Sequence, residues 1–267
     1  MAEKNRERFT LDDLQMKLEF EDKPLRDFGD TGEYVTSFHA RVTLSSDTDS
    51  EEDDRLLEMR GDFDPEKDAA ATANGFVIHA CRGCNDRVDV LDECDAVSQE
   101  AHEFSALLLD VDGSIRDDLS DLIEPAVADV FVFETVEVHP ALRGHDIGLR
   151  LVRRLLDMLG ADSHVAALKA HPMLAKGERT SRDDSPEVAT AKAARISAAS
   201  AKLAAYWARL GFMECPLPKD WLGEGGFMLL DLTVKSPSLR DLDKPKPKTP
   251  IRKRSARGGR APKKRVA

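Results

Sequence analysis

At 267 residues with 41% hydrophobic content, the chain has room for one large or two small domains and enough apolar residues for a packed core. No apolar run approaches the roughly 18 residues of a membrane-spanning helix, and the opening MAEKNRERFTLDDLQ lacks a signal-peptide segment, so a cytoplasmic protein is expected. The net charge of −11 is uneven: residues 244–267 hold 11 Lys and Arg and no acid, leaving 28 basic against 50 acidic residues in the body, a balance of −22.

Residues 1–33 are charged and weakly patterned, an N-terminal extension with one short helix predicted over 11–20. Residues 34–44 (YVTSFHARVTL) alternate and are rich in β-formers, which predicts a strand. A run of acids and hydroxyls follows, SSDTDSEEDD, and a flexible acidic loop is expected over 45–72. Residues 75–81 (GFVIHAC) predict a second strand and 87–91 a third. Residues 97–109 (VSQEAHEFSALLL) predict a helix, Asp110-Val111-Asp112-Gly113 a turn, and 119–123 a further helical piece.

Four cysteines are present. Cys81 and Cys84 form a CxxC with Cys94 ten residues on and Cys215 far away. A structural zinc site would want a second CxxC or an HxxxH, and neither is present, so reduced cysteines at a strand end and turn are expected, and no metal.

The stretch VFVFETVEVHPALRGHDIGLRLVRRLLDMLG, residues 130–160, organises the rest. Strict alternation sets Val132, Glu134, Val136 and Val138 on one face of a strand and Phe131, Phe133, Thr135 and Glu137 on the other. Both faces are mostly apolar, so the strand is expected to be central and covered on both sides. Pro140 ends it. A helix follows, striped by Ile147, Leu151, Leu155 and Met158. Between the two lie Arg143, Gly144, His145, Asp146, Ile147 and Gly148. Glycine lets a backbone approach a ligand closely, and the first turn of a helix has amide hydrogens without intrahelical partners. Such a turn suits an anion such as phosphate, and equally a plain strand-to-helix connection.

Residues 164–170 (HVAALKA) predict a strand parallel to 130–138, and 173–185 a polar, mobile insertion. Ser185-Pro186-Glu187 reads as cap, first-turn proline and first-turn acid of a helix that runs to Leu210, with Gly211 as its stop. Residues 226–234 (GFMLLDLTV) predict a last strand. From Ser236 proline and lysine dominate, so the domain is expected to span 34–235 and a basic disordered tail 236–267.

Val138-His139-Pro140-Ala141-Leu142-Arg143-Gly144-His145-Asp146-Ile147-Gly148-Leu149-Arg150-Leu151 resembles motif A of the GNAT acyltransferases, V-x-P-x-x-R-G-x-G-I-G-x-x-L. Ala204-Ala205-Tyr206-Trp207-Ala208-Arg209-Leu210-Gly211-Phe212 resembles their motif B, A-x-x-F-Y-x-x-x-G-F. The resemblance spans about 130–234. It implies an α/β fold: a mixed, mostly antiparallel twisted sheet with a splayed central parallel pair and helices on both faces. It also implies an N-acyltransferase moving an acetyl group from acetyl-CoA to an amine. The coenzyme would bond β-strand amides near Val136 and Val138 and place its diphosphate over Arg143, Gly144, His145, Asp146, Ile147 and Gly148. Glu134 or Glu137 would accept the amine's proton, because a carboxylate in an apolar strand holds protons more tightly. Tyr206 would protonate the departing thiolate.

Two departures stand out. Asp146 replaces a usual glycine, where its carboxylate would repel phosphate or cap the helix. Trp207 takes the place of the usual tyrosine, with Tyr206 about 100° around the helix. The other reading is therefore a degenerate GNAT fold acting as a binding or scaffold module. The tail, with Arg257-Gly258-Gly259-Arg260, would suit non-specific nucleic-acid binding, or simply offset the acidic body. The amine acceptor and the oligomeric state are not legible.

Overall fold

The computed structural model describes residues 34–43, 63–64, 68–124, 126–174, 178, 181, 184–219, 221, 225–234 and 237, together with the backbone of 14–19 and 44. In chain order the strands are β1 (Leu14–Glu19), β2 (Val35–Leu44), β3 (Ala71–Ile78), β4 (Val130–Val138), β5 (Val165–Lys169), β6 (Met213–Glu214) and β7 (Phe227–Asp231). The helices are α1 (Ala80–Asp86), α2 (Val90–Val97), α3 (Gln99–Leu108), α4 (Ile147–Leu159) and α5 (Pro186–Trp207).

All seven strands join one sheet, ordered β1-β2-β3-β4-β5-β7-β6. Every neighbouring pair is antiparallel except β4 and β5, which run parallel with α4 as their crossover. The sheet has a core on each side. On one face Phe131 and Phe133 pack with Leu149, Val152 and Leu155 of α4 and with Trp207, Leu210 and Phe212. On the other, Val130 and Val132 pack with Phe104, Leu107 and Leu108 of α3 and with Phe227. The predicted α/β architecture, with mostly antiparallel strands, one parallel pair and helices on both faces, is the one observed.

Several local expectations are corrected. Residues 14–19 form a strand rather than part of a helix, because the open edge of β2 pairs with them from Leu14↔Leu44 to Glu19↔His39. β3 starts at Ala71, inside the span expected to be a loop, and Phe63 in that span is buried. Residues 81–84 belong to α1, not to a strand end. Residues 87–91 enter a helix instead of a strand: the Asp89 carboxylate accepts from the Leu91 and Asp92 amides and caps α2. Ser98 then caps α3 through the Ala101 amide, and the helix expected over 97–109 is observed as α3. The predicted turn at 110–113 is present, with Gly113 at φ +78°. The basic tail beyond Pro237 and most of the acidic loop lie outside the described residues.

Candidate active site

β4 builds one wall of the site, and an irregularity in it matters. Gly75 of β3 faces Phe133 and Asn74 faces Thr135, so Glu134 is an extra residue, a β-bulge. Gly75 permits it: a Cβ there would lie 2.0 Å from the Val132 carbonyl oxygen and 2.6 Å from the Phe38 ring. The bulge reverses the alternation beyond it. Val136 and Val138 pack with the core of Phe131 and Phe133, not on the Val132 face where strict alternation would set them.

Parallel pairing of β4 with β5 ends at Phe133↔Leu168. β4 continues to Val138, and over those last residues its β5 edge has no strand partner among the described residues. The strands part there, and a cleft of about 840 Å³ opens between them, α4 and α5. It is lined by Glu134, Val136, Glu137, Val138, Arg143, Gly144, Asp146, Ile147, Gly148 and Tyr206. Of the residues expected at the site, His145 alone does not line it. Lys169, His171, Lys202 and Leu203 also line it and had no local motif to mark them.

The turn at the mouth is tightly made. Pro140–Leu142 form a 3-10 turn in which the His139 ring accepts from the Ala141 amide, and Phe63 sits edge-on against His139. Arg143 donates from Nε to the Val138 carbonyl at 3.2 Å. Gly144 has φ +92° and Asp146 φ +60°, both left-handed, and the latter is a conformation that glycine adopts most readily and Asp tolerates. Asp146 is the N-cap of α4 but makes no capping hydrogen bond, contrary to one expectation. Its two carboxylate oxygens accept instead from Arg209 Nη1 and Nη2, each at 2.5 Å. That fork holds the Arg209 proton more tightly than usual and offsets the carboxylate's charge beside the turn.

Tyr206 sits against the same turn. Its hydroxyl oxygen accepts from the Leu149 amide at 3.1 Å, so one amide of the α4 first turn is already taken by a side chain. Burial pushes its phenol up to about 12, so it stays protonated at neutral pH. Gly148 makes room for it: a Cβ would lie 3.1 Å from that hydroxyl and 3.3 Å from Val138 Cγ2. Trp207 is buried in the core, with its ring T-shaped to Tyr206. Among the described residues no acceptor meets the N–H groups of Gly144, Ile147 or Gly148.

Both signs of charge line the cleft. Arg143, Lys202 and the Arg209–Asp146 pair stand towards the turn and α5. Glu134 lines the cleft further back along β4, with Glu100 of α3 near enough for its charge to be felt. The surroundings of the Glu134 carboxyl, then the Glu100 charge, raise its affinity for a proton. Much of its side chain remains in solvent, which moderates the effect. Lys169, also lining the cleft, is within 3.8 Å of Glu103. Glu137 is exposed along the cleft wall.

The described residues contain no cluster of His, Cys, Asp and Glu suited to a metal, and all four cysteines are free. They also contain no helix long and apolar enough to cross a membrane. No protein-family model, curated protein or solved structure matches the chain.

Proposed function

We propose that the chain is a GNAT-type N-acyltransferase that moves an acetyl group from acetyl-CoA to an amine by direct attack. One observation carries the reading. Among the described residues no acceptor meets the Gly144, Ile147 and Gly148 amides beside Arg143 in the cleft between β4 and β5, and the carboxylate of Glu134 lines the same cleft.

The residues fit the coenzyme in three ways. The Gly144, Ile147 and Gly148 amides, with Arg143, offer donors for a diphosphate. The edge of β4 beside Val136 and Val138, without a strand partner among the described residues, offers backbone groups to an extended, amide-bearing arm. Leu142, Leu168 and Leu203 give that arm apolar cover. Acetyl-CoA, when bound, supplies an activated thioester carbonyl.

Glu134, directly or through water, removes a proton from the incoming ammonium and leaves the neutral amine as nucleophile. Tyr206 accepts from Leu149 and keeps its own O–H to donate towards the cleft. Full transfer of that proton from a phenol at about 12 to a thiolate of ordinary pKa near 8.5 would be uphill by about 5 kcal/mol. Tyr206 therefore hydrogen-bonds the departing sulfur, and water delivers the proton.

Calorimetric titration with acetyl-CoA tests the reading. Micromolar to sub-millimolar binding is expected, and silence at millimolar concentration would remove it. The scaffold reading draws on the Tyr206–Leu149 hydrogen bond and on Asp146, which occupy or oppose part of the diphosphate site. A chain that binds acetyl-CoA only once Asp146 is replaced by glycine favours that second reading.

A further inference from the structure

The Glu134 end of the cleft has acidic groups on more than one element, with Lys169 between them. Glu134 lines it on β4, and Glu100 is near enough to Glu134 for its charge to be felt there. Glu103, one turn along α3, reaches within 3.8 Å of Lys169 at the same end. The rest of the body is acidic too, at −22, while residues 244–267 carry 11 positive charges and no acid. Six of those charges are lysines, at 244, 246, 248, 253, 263 and 264. Lysine amines are nucleophiles once deprotonated. The five arginines stay charged and can only dock.

We infer that the lysines of this chain's own C-terminal segment, residues 244–267, are acceptors at the Glu134 end of the cleft. The inference rests on the acyltransferase reading and names the substrate class: a lysine ε-amine within an arginine-rich, acid-free peptide.

Length permits it. Lys264 is 27 residues beyond Pro237, a contour of up to roughly 90 Å, whereas the nine residues of β4 span about 30 Å. Tethering holds the segment at an effective concentration of order millimolar, so weak docking suffices. The arginines and remaining lysines are drawn to Glu100 and Glu134, an attraction that salt weakens. At the site Glu134, or a water it orients, takes one proton from the lysine ammonium. The neutral Nζ attacks the thioester carbonyl of acetyl-CoA, a C–N bond forms, the C–S bond breaks, and the thiolate takes a proton. The products are an acetamide and the free thiol. Each modified lysine loses its charge and with it part of its attraction to the site, so the tail releases after reaction.

The experiment incubates the full chain with acetyl-CoA and follows it by intact mass and peptide mapping at two protein concentrations. The expected result is label on the tail lysines at least tenfold above body lysines such as Lys192 and Lys219. Its rate per molecule should not depend on protein concentration, and Glu134→Gln should slow it by a factor of ten or more. A full-length variant with all six tail lysines changed to arginine should still bind acetyl-CoA and should acetylate an added 244–267 peptide. Acetyl-CoA binding and turnover of an unrelated amine with no tail label would overturn the inference and leave the acyltransferase reading standing. So would label spread evenly over the surface lysines, or a rate that rises with protein concentration. Tail-dependent retention on DNA with the tail lysines unlabelled would overturn it in favour of a polyanion partner. Absence of acetyl-CoA binding would end both readings.

Discussion

Replacing Asp146 with glycine should tighten acetyl-CoA binding. At φ +60° the backbone there already suits glycine, so the exchange brings no strain. It removes a negative charge from beside the diphosphate position and releases the Arg209 guanidinium, now held on both Asp146 oxygens. For a unit charge about 6 Å away, Coulomb's law gives roughly 0.7 kcal/mol at bulk-water dielectric and 2.8 kcal/mol at an effective dielectric of about 20. That range corresponds to roughly 3- to 100-fold tighter binding. The cost is a partly exposed ion pair, with side-chain exposures of 23% and 31%, and so about 1 kcal/mol or less of stability and a fall of about 2–4 °C in Tm. Calorimetric titration of both proteins with acetyl-CoA, paired with thermal melts, measures each term. A variant that melts within a few degrees of the parent and binds acetyl-CoA equally or more weakly would refute the diphosphate assignment at the turn.

Three further outcomes follow from named contacts. Glu134→Gln should lower kcat by roughly 10²-fold and abolish the acid-side limb of the kcat/KM profile. In the parent that limb should lie above the ordinary carboxylate range, since the Glu134 proton is held more tightly. An unchanged profile would exclude Glu134 as base. Gly75→Ala should cost more than about 3 kcal/mol or prevent folding, since its Cβ would meet the Val132 carbonyl oxygen at 2.0 Å. Gly148→Ala, tight only against Tyr206 and Val138, should cost about 1–2 kcal/mol; urea denaturation ranks the two. Burial raises the Asp129 pKa, but hydrogen bonds from His79 and the Cys81 amide outweigh it, and its net pKa is lowered. Its stabilisation should therefore be full above the unfolded carboxylate value of about 3.9 and fade as pH falls through the lower folded value. Asp129→Ala should cost about 1–3 kcal/mol at pH 7, and the gap from the parent should narrow as pH falls below the ordinary carboxylate range in guanidinium titrations.

Local chemistry made much of the frame readable. The Val130–Val138 strand, its end at Pro140, the α4 stripe, the Ser185-Pro186 start of α5 and the Gly211 stop at φ +99° each depend on residues within a few positions of one another. So does the glycine turn beside Arg143. The Asp89 cap of α2 was equally local and went unread, hidden by the β-like look of Arg87-Val88-Asp89-Val90-Leu91.

Other features were decided by contacts between distant parts of the chain. Leu11, Leu14 and Leu18 are spaced for a helix while Leu14, Met16 and Leu18 alternate as in a strand, and the open edge of β2 chose the strand over 14–19. The bulge at Glu134 depends on Gly75, about sixty residues earlier, and it alone turned Val136 and Val138 onto the other face. Arg209 lies 63 residues from the carboxylate it holds, and Tyr206 57 from the amide it occupies. Sequence by itself determined which segments form strands, turns and helices at the centre of this protein, because those preferences act over a few residues. The cleft, the Arg209–Asp146 pair and the state of its amides came from the tertiary structure, because they are made by groups that meet only after β4, α4 and α5 have packed.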